Sequence, residues 1–246
     1  IDETKIRWFL QRARKQRNLV LDPHMPTADV LAHLNLSKSE GTLKNSALLL
    51  FGKDPHKFFL QGTTKCIQFT GTTVEKPFPS YHVYAGNLFE QIDKSLAFVL
   101  DAIRLPVIQQ AGTAGVARAF EIPEFVIQEA IMNAVVHRDY NSTASTQVMV
   151  FADRIEIWNP GRLPSEITVE SLKEPHSSYP NNPLLAEVLY LADYIQEVGS
   201  GTLEMIKQSR ALGNPEPEFV QRKHEFRVII PRDVLTEDVL LWLGLN

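Results

Sequence analysis

In the stretch EAIMNAVVHRDY, residues 129–140, an acid, an amide and an imidazole recur at steps of four: Glu129, Asn133 and His137. Helical residues four apart are rotated by only about 40°, so a helix would align the three in one slightly skewed stripe. Ile127, Ile131, Ala134 and Val135 then remain on the opposite side for a core. A carboxylate beside an amide oxygen suits magnesium and water. The hard Asn133 oxygen can ligate Mg²⁺, while Glu129 accepts a proton from an attacking water or orients it. That is a phosphoryl-transfer grouping, although the same spacing also arises by chance on any polar helix face.

Two further stretches carry chemistry of the same kind. In EIWNPGRLP a strand runs into Asn159-Pro160-Gly161, a turn sequence that leaves the Asn159 side chain at the strand end. Strand ends in layered folds often line ligand crevices, but a plain turn explains the sequence equally well. In VGSGT, residues 198–202, Gly199 and Gly201 would let backbone N–H groups approach an anion in front of a helix. Ser200 or Thr202 would serve equally as an ordinary N-cap.

The elements that must position these residues follow from periodicity. Residues 3–17 and Thr27 to Leu34 read as helices, the first with a basic face of Lys5, Arg7, Arg12, Arg14, Lys15 and Arg17 that is either solvated or an anion contact. From Asn45 the texture alternates: a buried segment SALLLFG, a strand TKCIQFTGT, a loop holding Pro77, Pro79 and Gly86, and a long amphipathic helix in NLFEQIDKSLAFVLDAI. AGTAGVARAFEIP predicts a loop and short strand ahead of the helix that begins at Pro123. TQVMVFADRIEIWNPGRLP predicts a hairpin about Ala152-Asp153, with Val148, Val150, Ile155 and Ile157 inward. Helices in NPLLAEVLYLADYI and TLEMIKQSRALG, the second stopped by Gly213 and Pro215, precede a closing hairpin in PEFVQRKHEFRVIIPR. The sum is an α/β layered arrangement.

The chain has 246 residues, 44% of them hydrophobic and 22% charged, with a net charge of -4. That balance excludes a protein that coats nucleic acid indiscriminately, which needs dense Lys and Arg. Cys66 is the only cysteine, so neither an intramolecular disulfide nor a multi-cysteine metal site can form within one chain, and a reducing cytoplasmic setting is expected. No run approaches the roughly 18 apolar residues of a membrane helix, so no membrane partner is expected. The start at Ile1 and the apolar EDVLLWLGLN ending suggest a fragment of a longer polypeptide.

Taken in order, an acid-and-amide helix, a strand turn with glycine and a glycine turn opening a helix resemble the layout of the GHKL ATPases. EAIMNAVVHRDY, DRIEIWNPGRLP, NPLLAEVLYLADYIQEVGSGT and PEPEF resemble, more closely, the C-terminal domain of proteins labelled RecG-like ATP-dependent helicases or transcriptional regulators, from about residue 28 to 231. LKNSALLLFGKDP resembles the segment joining a Schlafen-type AlbA-like domain to that domain.

The resemblance implies an α+β sandwich with a Bergerat-type mixed sheet covered by helices: a helical linker region over 1–44, the GHKL-like domain over 45–232, and a tail from 233 to 246 leading to a winged helix. It implies an adenine nucleotide, ATP, with Mg²⁺. Glu129 matches the general base and Asn133 the magnesium ligand. Asn159 stands where the superfamily has the aspartate that holds the adenine amino group, and Gly161 matches the glycine two residues on. Gly199, Ser200 and Gly201 match the turn against the phosphates. Leu163 replaces a glycine of the second box. His137-Arg138-Asp139-Tyr140 is characteristic of the subfamily, Arg138 meeting either a phosphate or Asp139, and HSSYPNNP at 176–183 is either a polar lid or a loop.

A translocating helicase needs GxxxxGK[ST], and GKDPHK at 52–57 lacks that spacing. Three functions remain. One is a nucleotide-binding module of a bacterial transcriptional regulator, reaching DNA through domains elsewhere in the chain. Another is a Mg²⁺-dependent ATPase. The third is a scaffold that docks or forms a homo-oligomer through Val239 to Leu245.

Overall fold

The alternation over 146–160 makes an antiparallel hairpin of β3 (Thr146–Val150) and β4 (Arg154–Pro160). Val148, Val150, Ile155 and Ile157 face inward and are at most 1% exposed. Around this hairpin the computed structural model, which describes residues 1–103, 121–195 and 200–232, builds a six-stranded sheet. With β1 (Thr64–Gln68), β2 (Ser80–Tyr84), β5 (Glu218–Gln221) and β6 (Glu225–Pro231), its order is β2-β1-β3-β4-β6-β5. β1 and β3 are parallel; the other neighbours are antiparallel. The register aligns Cys66, Val148, Ile157, Val228 and Phe219 across the sheet, so alternation carries all five to one face.

That face is covered by α4 (Leu88–Ala102) and α5 (Glu124–Val136), with α7 (Gly201–Ala211) packed against α5. α1 (Glu3–Arg17), α2 (Thr27–His33), α3 (Asn45–Phe51) and α6 (Pro183–Leu191) extend the same core. The other face carries a smaller apolar cluster of Ile67, Phe69, Met149 and Phe151, in which the Phe69 and Phe151 rings stack at 4.5 Å. The fold is the expected α+β sandwich: a mixed sheet with helices, of GHKL-like architecture.

α1 is started by Asp2, whose Oδ1 accepts from the Thr4 N–H at 2.9 Å, and Ile6, Phe9, Leu10 and Ala13 join the main core. Residues 1–44 therefore pack onto the 45–232 region. Three cations of the basic face are spent on structure. Arg7 donates to the Pro23 and Met25 carbonyls at 2.6 and 2.7 Å, Arg12 to the Ala192 carbonyl, and Arg17 pairs with Asp193 at 3.0 Å.

The structure differs from expectation at SYHVY, which the flanking prolines marked as loop. It is the edge strand β2, held by β1 alone, with Tyr81 and Val83 about half exposed. The loop and short strand expected over 111–123 lie outside the described residues up to residue 120, as does the tail 233–246. Among the described residues no helix is long and apolar enough to cross a membrane.

Candidate functional site

α5 is apolar nearly all round because the sheet, α4, α6 and α7 all press on it; Val126, Ile127, Ala130, Ile131, Met132, Ala134, Val135 and Val136 are buried. Its two polar residues at the site satisfy each other: Asn133 Nδ2 donates to Glu129 Oε1 at 3.0 Å. Burial raises the Glu129 carboxyl above its ordinary value, and the Asn133 hydrogen bond only partly opposes this. The helix ends at Val136. His137 is its C-cap, its N–H bonded to the Asn133 carbonyl at 2.9 Å. Burial alone lowers the imidazole from 6.5 to about 4, so it is neutral at pH 7.

Gly201, the first residue of α7, lies directly on the Glu129 carboxylate; a Cβ there would stand 1.8 Å from Oε1. Any side chain there would have to displace the Glu129 carboxylate. Asn159 sits near the end of β4, paired with Phe226 of β6, and is 3% exposed. Its Oδ1 has no hydrogen-bond donor among the described residues. Two residues on, Gly161 is held by close approach, since a Cβ would be 2.9 Å from the His137 carbonyl oxygen.

Glu129, Asn133, His137, Asn159 and Gly201 thus line one cavity of about 130 Å³, with Leu172, Met205 and Phe219 among its apolar walls. His176 to Pro180, part of the stretch that reads as either a lid or a loop, also line it. Gly161 lies behind the wall. Ser200 is the exposed N-cap of α7 and makes no side-chain cap bond; Gly199 lies outside the described residues.

The structure does not bring Arg138 to this cluster. Its side chain turns the other way and is 3% exposed. It donates to the Thr63 carbonyl (3.1 Å), Thr146 Oγ1 (3.2 Å), the Ala144 carbonyl (2.8 Å) and the Gln61 carbonyl. Arg138 is a clamp between β1, β3 and the loop after α5. Asp139 is not its ion-pair partner either; its Oδ1 accepts from the Asn141 N–H at 2.9 Å.

Asn181 and Asn182 do work the sequence did not reveal. Asn181 Nδ2 donates to the His137 and Arg162 carbonyls at 3.0 and 3.1 Å, and Asn182 Nδ2 to those of Val136 and Arg138 at 2.8 Å each. They cap the C-terminal end of α5 and anchor the segment that walls the cavity. The paired amides before Pro183 were the available signal.

Residues 144–230 match the family described as "Putative ATP-dependent DNA helicase recG C-terminal". The match supports a RecG C-terminal-like domain with an ATPase-like fold in this part of the chain. The match spans Asn159, Gly161 and Gly201 but starts after α5, so Glu129 and Asn133 rest on the geometry above. The crystal structure of the DIP2311 protein from Corynebacterium diphtheriae is similar with a TM-score of 0.71 at 21% identity, covering 96% of this chain and 46% of that one. This likeness shows the fold, and the chain spans about half the length of that protein. No curated protein matches the sequence.

Proposed function

We propose that the Glu129 cavity binds an adenine nucleotide together with Mg²⁺, and that the chain is the nucleotide-responsive module of a transcriptional regulator whose DNA-binding part lies elsewhere. The observation that carries this reading is the Asn159 Oδ1, a buried acceptor with no donor among the described residues. An orphaned buried acceptor costs roughly 1–3 kcal/mol, and an exocyclic amino group is a donor that relieves it. The apolar walls suit the faces of a base.

The donor set fits magnesium carried in by a nucleotide. Asn133 uses its Nδ2 on Glu129, which leaves Oδ1 for a hard cation. Among the described residues no group of three His, Cys, Asp or Glu is placed to hold a metal. One amide oxygen plus phosphates and water is a usual Mg²⁺ shell, and bound there the ion would neutralise phosphate charge. At about 130 Å³ the cavity is below the roughly 300 Å³ at which whole-ligand pockets begin, so a nucleotide enters only as His176 to Pro180 swing outward. Titration calorimetry with Mg²⁺-ATP tests this: heat that disappears in Asn159→Ala and Asn133→Ala supports it, and no heat with the wild-type chain removes it.

A second reading, Mg²⁺-dependent hydrolysis, is favoured by the raised Glu129 carboxyl, which makes it a better base than a solvated one. Phosphate release by wild type, lost in Glu129→Gln, separates an enzyme from a pure sensor.

A further inference from the structure

Beside the nucleotide cavity lies an open groove of about 1650 Å³ among the described residues. Its rims are the α2–α3 connection on one side and the end of β4 with the β5–β6 turn on the other. The loop after α5 forms its floor. Lys38, Lys44, Arg162, Arg222 and Lys223 line it, against only Asp139 and Glu225. This excess of cations sits on a chain whose net charge is -4.

The groove cations differ in kind from those of α1. No carboxylate pairs with any of the five among the described residues, and Lys38, Arg162, Arg222 and Lys223 are exposed. Lys44 donates to Asn35 Oδ1 at 2.8 Å, and Arg162 contacts the His224 ring at 3.2 Å. The two acids are occupied: Glu225 holds Arg227 (Nε at 2.7 Å), and Asp139 accepts from the Asn141 N–H. Fixed positive charge without a partner calls for an anion from outside.

The volume sets the anion's size. It exceeds the roughly 300–1,000 Å³ of sites that hold one small ligand, so the occupant is extended. The floor offers the exposed side chains of Asn141 and Thr143 and the half-buried Ser142, which serve as phosphate contacts beside Arg and Lys. Trp158, half-buried beneath the Arg227 guanidinium 3.5 Å over its ring, forms part of the wall and gives the trough an apolar side against which an unpaired base can lie. A recessed trough with such a wall fits a strand whose bases are free, not a rigid duplex rod.

We propose that this groove binds single-stranded nucleic acid, holding its phosphates between Lys38 and Lys44 on one rim and Arg162, Arg222 and Lys223 on the other. Fluorescence anisotropy with a labelled single strand of about 12 nucleotides, the scale of a short stacking groove, tests it on the 246-residue chain. The wild-type chain should bind, with log affinity falling against log salt at about -0.7 per phosphate neutralised. Arg222→Glu with Lys223→Glu, both exposed on a turn, should weaken binding at least tenfold and flatten the slope, with circular dichroism unchanged. Lys38→Glu on the opposite rim should weaken it as well. The proposal is overturned by no binding at low salt, by an unchanged affinity in the folded double variant, or by equal affinity for duplex. Competition by polyglutamate as effective as by the strand would likewise overturn it, in favour of an acidic protein partner.

Discussion

The cavity at Glu129 and the groove beside it share a wall, yet they are built on opposite principles. In the cavity the functional groups are withdrawn from water, and burial moves them: Glu129 is raised and His137 lowered to about 4. In the groove the charged ends stay in solvent and act by number. Both depend on the C-terminal end of α5, which sends Glu129 and Asn133 one way and, just past the helix, Arg138 the other. Arg162 lines both recesses. A buried site reads a ligand through a few unsatisfied or shifted atoms, whereas an exposed one reads only charge and extent.

The largest effect that would sharpen this contrast is on turnover. If the cavity hydrolyses ATP, Glu129→Gln lowers the rate by about 10²- to 10⁴-fold in a phosphate-release assay. The same substitution leaves single-strand binding in the groove unchanged. It also removes a buried carboxylate whose raised value disfavours the folded state as pH rises, so the variant should melt no lower than wild type at pH 7.

Next comes Arg138, which borders the groove but serves the fold. Arg138→Met strands two buried and two part-buried oxygen acceptors and should cost about 3 kcal/mol in chemical denaturation. A cost below about 1 kcal/mol, the scale of exposed charges, would return Arg138 to the groove's solvent-facing set.

A comparable change is expected from pH. The unfolded His137 ring takes up a proton near 6.5 and the folded one only near 4. The contribution is intact above about pH 6.5 and is lost as pH falls towards 4, by about 3 kcal/mol at most. His137→Gln should flatten that limb of a plot of melting temperature against pH; an identical limb would show that the ring is hydrated in the fold.

Smaller still, Asn159→Asp should tighten Mg²⁺-ATP about fivefold, because a charged acceptor roughly doubles a hydrogen bond. The least effect on folding should come from Gly201→Ala. The atoms its Cβ meets are the movable end of Glu129, so stability changes by less than about 1 kcal/mol while the carboxylate is displaced and any turnover falls. An unfolded Gly201→Ala protein would show instead that Glu129 is locked in place.

How much could be read beforehand differs element by element. The β3–β4 hairpin announced itself through strict alternation and a short turn, and α5 through its four-residue stripe. β2 did not, because five residues between prolines and a glycine look like loop until β1 offers an edge to pair with. Glu129, Asn133 and Asn159 could be named as site residues from spacing, turn chemistry and resemblance. The opposite orientation of Arg138 could not, since that depends on the carbonyls of Gln61 and Thr63, more than 70 positions away.

The sequence by itself determined the local pieces: which segments are helix or strand, which faces are apolar, and that an acid and an amide share one helical stripe. Periodicity and capping act over a few residues, so they are written in the chain. Only the tertiary structure decided that Gly201 meets Glu129, that Asn159 is buried without a donor, and that unpaired cations from Lys38 to Lys223 gather on one groove. Those are distances between remote segments, set by sheet register and helix packing, and no local spacing encodes them.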